Sequence, residues 1–253
     1  MSRIMLPESM IRQFKENIWF PYYSAETRIG FFVQMFIDDL LAKEFSEGIR
    51  CVAPEFPLRH RGNNQADNLD FLCAGKDNEL FFVELKTDSD SLKKDQAEKY
   101  LENWGKWEVC INGLKNIVLG ARSDKCVKYF FLLEKLLEEG LVSLSGLPEK
   151  KREEISSFVH KHRSPATERG RKGQRTTRIR DFSKRIEESE SEIKVVFLVP
   201  DKEKAKNILK RANEIILIEF SEVPDETRPD SGWDSQTQSF YGEFVGFLKS
   251  IER

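Results

Sequence analysis

The run Leu80-Phe-Phe-Val-Glu-Leu-Lys-Thr87 constrains this chain more than any other stretch. Its composition is that of an apolar strand, yet Glu84 and Lys86 stand two apart within it. Residues two apart on a strand project from one face, so Glu84 and Lys86 share a side while Phe81, Val83 and Leu85 point to the other. Two charges in an otherwise apolar strand are unfavourable unless they pair or bind something. The fold must therefore bring partners to that face.

The nearest partners lie just upstream, where Leu69–Ala74 reads as a second strand and Gly75-Lys76-Asp77-Asn78 as the turn of a hairpin. A five-residue connection centred on Asp77 sets Asp70 directly opposite Glu84. A four-residue connection sets Asp67 opposite Lys86 instead, and counting alone leaves both registers open. Two carboxylates face to face repel, and a divalent cation relieves the repulsion.

Helical and extended patterns surround this hairpin. Residues 1–23, with Pro7, Pro21 and a cluster of aromatics, suggest a short helix and an extended lead-in. Ser24 is an N-cap candidate, and Ile29, Phe32, Val33, Phe36, Ile37, Leu40 and Leu41 recur at helical spacing to about Glu44. A strand over Ile49–Pro54, with continuation to Leu58, completes an antiparallel meander. From Ser91 to Leu114 a helix carries Leu92, Gln96, Tyr100 and Trp104 at four-residue steps, with Gly105 and Gly113 as kinks or ends. Val127–Glu139 reads as a further helix.

Downstream, an apolar strand over 192–200, a helix over 202–212 and a strand over 214–223 have the pattern of a βαβ unit. Phe240, Phe244, Phe247, Leu248 and Ile251 then form one helical stripe, which docks on the body or, as the alternative, on a second copy. These 253 residues, 39% of them hydrophobic, suit one sizeable core. The expected organisation is a single domain with its core at about 24–114 plus 192–223, an insertion at about 115–191 and a C-terminal helix at about 236–252.

Formal charge narrows the partners. With a net charge of -2 and a pI near 6.1 the chain is no uniformly basic body, so a polyanion must meet a local patch. Residues 149–190 supply one, an expected exposed and mobile basic segment that includes Arg169, Arg171, Lys172 and Arg175. Lys93, Lys94 and Lys99 flank Gln96 and offer a second set of phosphate contacts. The four cysteines form no CxxC pair and the three histidines lack zinc-finger spacing, so a zinc site is not expected. Without an uncharged apolar run near 18 residues, the expectation is a soluble, cytoplasmic protein with no membrane partner.

In order and context, Asp70, Glu84-Leu85-Lys86 and Gln96 resemble the PD-(D/E)XK nuclease superfamily, whose restriction endonuclease-like or Holliday junction resolvase-like core runs α-β-β-β-α-β. The resemblance covers about 24–114 and reaches 193–199 by element order. The proline of the motif is replaced by Leu69. It implies an α/β fold with a mixed central sheet flanked by helices and a helical and basic insertion before the later strands. It further implies that Asp70, Glu84 and the Leu85 carbonyl hold Mg²⁺ or Mn²⁺ and that Lys86 positions the attacking water. Gln96 would support water or phosphate, with Tyr100 one turn beyond. Relatives also place a first-helix glutamate at the metal, and Glu26, or else Glu44, fills that place. The implied activity is hydrolysis of phosphodiester bonds, in DNA or else RNA, in a restriction or phage-defence setting, by the chain alone, as a homodimer or with a partner protein. The alternative is a nuclease-fold protein without turnover that acts as a nucleic-acid-binding or assembly module.

Overall fold

A computed structural model describes residues 25–45, 48–59, 66–76, 79–120, 125–146, 148–161, 177–188 and 191–251. In chain order these form α1 (Ala25–Met35), α2 (Ile37–Leu40), β1 (Arg50–Arg59), β2 (Ala66–Ala74), β3 (Leu80–Leu85), α3 (Gln96–Trp104), α4 (Trp107–Gly120) and α5 (Lys125–Glu138). There follow β4 (Val142–Leu144), α6 (Glu149–Lys161), α7 (177–183), β5 (Ile186–Glu188), β6 (Ile193–Val199), α8 (Lys202–Ile208), β7 (Ile216–Glu219) and α9 (Ser235–Ser250). The class is α/β, with a mixed five-stranded sheet in the order β1-β2-β3-β6-β7. Two compact units are present, one drawn from Met1–Glu55, Leu69–Glu102 and Lys194–Arg253, the other from Phe56–Asn68 and Asn103–Ile193.

The first unit is a sheet covered on both faces. β2 and β3 run antiparallel, with Phe71 opposite Val83 and Cys73 opposite Phe81, while β6 and β7 run parallel with α8 as their crossover. The period of two sends Phe71, Cys73, Phe81, Val83 and Leu85 to one face, where they join Ile29, Phe32, Val33 and Phe36 of α1. The C-terminal stripe docks here: Phe32 meets Phe240 edge to face at 5.2 Å, and Phe36 meets Tyr241 at 5.1 Å. Each fully buried Phe adds roughly 1.5–3 kcal/mol, so α9 is held by its apolar stripe. On the opposite face α3 covers the sheet, with Tyr100 against Phe82 and Phe197.

In the second unit α4 and α5 pack beside the small antiparallel pair β4-β5. Trp107 is fully buried, tilted against Phe56 at 5.9 Å, and its indole N–H donates to the Leu141 carbonyl at 2.7 Å. Both Trp104 and Trp107 are core residues rather than exposed platforms. Lys115 Nζ donates to the Ile186 carbonyl at 2.7 Å, tying α4 to β5.

Several boundaries differ from expectation. The first helix breaks at Phe36, which is buried against Trp233 and Tyr241, before the short α2. Gly105 does end a helix, since the chain there turns extended and its carbonyl accepts from Ile193 N. Gly113 neither kinks nor ends one: it lies inside α4, where an added Cβ would meet Arg59 Cβ at 3.4 Å. The segment 149–190, expected to be mobile, contains α6, α7 and β5, because its sparse apolar residues are buried: Ile155 on α6, Ile179 and Phe182 three apart on α7, and Ile186 on β5. The helix expected over 202–212 stops at Ile208 and resumes as a 3₁₀ turn at Ala212–Glu214. The Ser24 cap, the elements proposed for residues 1–23, and Arg169, Arg171, Lys172 and Arg175 lie outside the described residues. Among the described residues no helix is long and apolar enough to cross a membrane.

Candidate functional site

Strand β3 is third of five, so Glu84 and Lys86 are not a surface ion pair on an edge strand. Glu84 is 2% exposed and Lys86 8%. Extending the β2-β3 register one step beyond Phe71 and Val83 sets Asp70 opposite Glu84, the arrangement of the five-residue connection. Asp67 is exposed near the start of β2.

Each side chain of the cluster is positioned by a local feature. Asp70 Oδ2 accepts from the Leu85 N–H at 2.8 Å, which fixes its carboxylate against β3. After β3, Asp88 caps a 3₁₀ turn by accepting from Ser91 N at 2.6 Å, and the chain reverses into α3. The first residue of α3, Gln96, then reaches Glu84 Oε2 with its amide nitrogen at 3.0 Å. One turn on, the Tyr100 hydroxyl donates to Glu84 Oε1 and accepts from Gln96 Nε2 at 3.2 Å. Lys86 Nζ lies 3.2 Å from Glu84 Oε2.

Electrostatics sharpen this geometry. Burial, and next the neighbouring Asp70 charge, push the Glu84 carboxyl up from its usual 4.5 to about 7, against the pull of Lys86 and the Tyr100 hydrogen bond. Asp70 is also raised, chiefly by burial and in spite of the Leu85 N–H and Lys86. The Tyr100 hydroxyl is held neutral, raised first by burial and then by Glu84. Near neutral pH the pair therefore carries less than two negative charges, because burial and mutual repulsion both oppose the second ionisation. Gln96 Oε1 is buried and accepts no hydrogen bond. An orphaned acceptor beside two crowded carboxylates is a donor set of hard oxygens, which fits Mg²⁺ or Mn²⁺ better than a softer ion.

The remaining expectations divide. Among the described residues no three His, Cys, Asp or Glu side chains gather into a metal cage, so the fit rests on Asp70 and Glu84 with backbone or solvent oxygens. Glu26 lies in α1, but its side chain is outside the described residues, and Glu44 is exposed in the turn after α2. Lys93, Lys94 and Lys99 are exposed around the start of α3. They share that surface with Asp95 and Glu98, which Lys210 engages at 2.8 and 3.1 Å, so the patch is mixed in charge.

Glu55 was missed. It sits on β1, exposed, with φ of 49° in the left-handed region, and its charge raises Asp70. The signal was present in Pro54-Glu55-Phe56-Pro57, since two prolines inside one strand mark a bulge that re-aims a side chain. Comparison of the chain with family models, with curated proteins and with solved structures returns no match.

Proposed function

We propose that this chain is a metal-dependent nuclease of the PD-(D/E)XK kind, with a restriction endonuclease-like core, and that it hydrolyses phosphodiester bonds in DNA. The observation that carries the reading is the cross-strand apposition of Asp70 and Glu84 with Lys86 Nζ 3.2 Å from Glu84, in the middle of an apolar sheet.

Asp70 and Glu84 are the residues that would hold Mg²⁺ or Mn²⁺. A bound divalent cation supplies polarisation of the phosphoryl oxygen and a lowered pKa for an attacking water. Lys86, confined beside Glu84, keeps a positive charge where negative charge develops on the phosphorane and orients the water. Tyr100 and Gln96 hold Glu84 in one rotamer, which keeps a carboxylate oriented without a rearrangement during the reaction. The exposed Lys93, Lys94 and Lys99 give the nucleic-acid backbone contacts next to Gln96. Restriction or phage defence is the setting proposed for such a chain.

One feature favours a second reading, a nucleic-acid-binding or assembly module without turnover: both Glu84 oxygens already have donors. Incubation with single- and double-stranded DNA and RNA, linear and circular, in Mg²⁺, Mn²⁺ or EDTA separates the two. The nuclease reading expects cleavage that EDTA abolishes and that Lys86→Ala lowers by about a thousandfold or more. Binding without cleavage in every metal favours the module, and cleavage that survives EDTA or Lys86→Ala overturns the mechanism.

A further inference from the structure

The second unit holds a cavity of about 500 Å³ between α6 and α7, a volume within the range of roughly 300–1,000 Å³ that small ligands occupy. Helix α6 lines it with Lys151, Glu154 and Ile155, which its 3.6-residue period brings to one face. The opposite wall is Arg178 and Asp181, three apart on α7, followed by Lys184 and Arg185 from the turn that ends it. Ile155 is the one buried residue of the lining. Four cationic and two anionic side chains thus converge on one concavity.

Their partners are telling. Among the described residues none of these six charged groups makes an ion pair, although carboxylates and cations line the same space. Two of the cations are nevertheless held in place by other means. The Arg178 guanidinium lies over the Phe158 ring, 4.2 Å from its centroid, a cation–π contact that restrains it without consuming its N–H donors. Arg185 Nη1 donates to the Gly146 carbonyl at 3.2 Å, at a glycine with φ of 58° that gives the chain its turn there. Ordered guanidinium forks without carboxylate partners are what a phosphate group requires. Glu154 and Asp181 have no use for a bare anion, but they accept hydrogen bonds from hydroxyl groups.

We propose that this cavity binds a small phosphate monoester bearing sugar hydroxyls, of nucleotide size, with Arg178, Lys184 and Arg185 on the phosphate and Glu154 and Asp181 on the hydroxyls. The lining is two charges positive, matching a phosphomonoester that carries about -1.5 to -2 at neutral pH. The inference goes beyond the nuclease reading and does not rest on it, since every residue used belongs to the second unit.

Isothermal titration of the full chain with AMP, ribose 5-phosphate and inorganic phosphate tests it. The expected result is saturable one-to-one binding of AMP and ribose 5-phosphate, about tenfold or more tighter than inorganic phosphate and weaker at high salt. Binding of AMP without ribose 5-phosphate also supports the site and narrows its ligand to nucleotides. Arg178→Ala should weaken binding about tenfold, and Glu84→Gln should leave it unchanged, whatever becomes of nuclease activity. Loss of both hydroxyl acceptors in Glu154→Ala/Asp181→Ala should reduce the preference for AMP over inorganic phosphate, a change of selectivity that unfolding does not mimic. Equal affinity for all three ligands, no binding of any, or an unaltered Arg178→Ala overturns the proposal.

Discussion

Asp39 and Glu84 are both 2% exposed and both belong to the first unit, but burial has been resolved differently around them. Asp39 Oδ1 accepts from the Arg228 backbone N–H at 2.7 Å and Oδ2 from the Trp233 indole N–H at 2.9 Å. Its neighbour Asp38 accepts from Ile49 N at 2.7 Å and faces the Arg228 guanidinium at 3.5 Å. This carboxylate pair is shared between two donor sets and tethers the connector before α9 to α2. Glu84 has more donors, from Tyr100, Gln96 and Lys86, yet Asp70 shares its space and the two repel. The lesson is that burial of a carboxylate does not mark a working site. A like-charge contact kept inside a well-bonded cluster is what sets Glu84 apart from Asp39, because some cation or proton must answer it.

Removing each charge in turn separates the two carboxylates. Asp39→Ala leaves two N–H donors without an acceptor and should lower unfolding stability by about 2–4 kcal/mol in a urea titration. Glu84→Gln keeps an oxygen acceptor and removes the repulsion with Asp70, so near pH 8 it should change stability by no more than about 1 kcal/mol, or raise it. Equal losses in the two variants would dissolve the distinction drawn here.

A pH series sharpens the same point with a smaller effect. Because the folded-state Glu84 pKa of about 7 lies above its ordinary 4.5, the folded protein binds the proton more tightly than the unfolded chain. Its contribution to stability is complete below pH 4.5 and falls as pH rises to about 7. A divalent cation competes for the ionised form, so millimolar Mg²⁺ should raise the melting temperature by about 5 °C near pH 8 and hardly at all near pH 5.5. Asp70→Ala should abolish that rise, and a shift independent of pH would remove Glu84 from the ligand set.

Much of this contrast was legible in the sequence on one side and hidden on the other. Asp70, Glu84, Lys86, Gln96 and Tyr100 lie within 31 residues, where strand period, turn length and four-residue helix steps determine which side chains meet. Only the hairpin register needed the structure. The Asp39 tether joins residues 189 and 194 positions apart, and no local period reports such a contact. Glu55 was obscured for another reason, since its left-handed φ takes it out of the alternation that strand reading assumes. The insertion misled because its buried residues, Ile155, Ile179, Phe182 and Ile186, are few among many charges, and composition outweighs spacing at that density.

The smallest of the expected effects concerns the hydroxyl that separates Glu84 from ordinary burial. Tyr100 donates to Glu84 Oε1 and also accepts from Gln96 Nε2 at 3.2 Å, so Tyr100→Phe removes a donor to the carboxylate while preserving the ring against Phe82 and Phe197. Stability should fall by about 1 kcal/mol, the usual net worth of one hydrogen bond. The hydroxyl favours the ionised carboxylate, so its loss should move Glu84 further up. If Glu84 must ionise for cleavage, the acid limb of the pH–rate profile moves up by the same amount, with little change on the alkaline plateau. An unshifted acid limb together with the expected loss of stability would leave Tyr100 as a packing residue and assign the ionisation to Asp70.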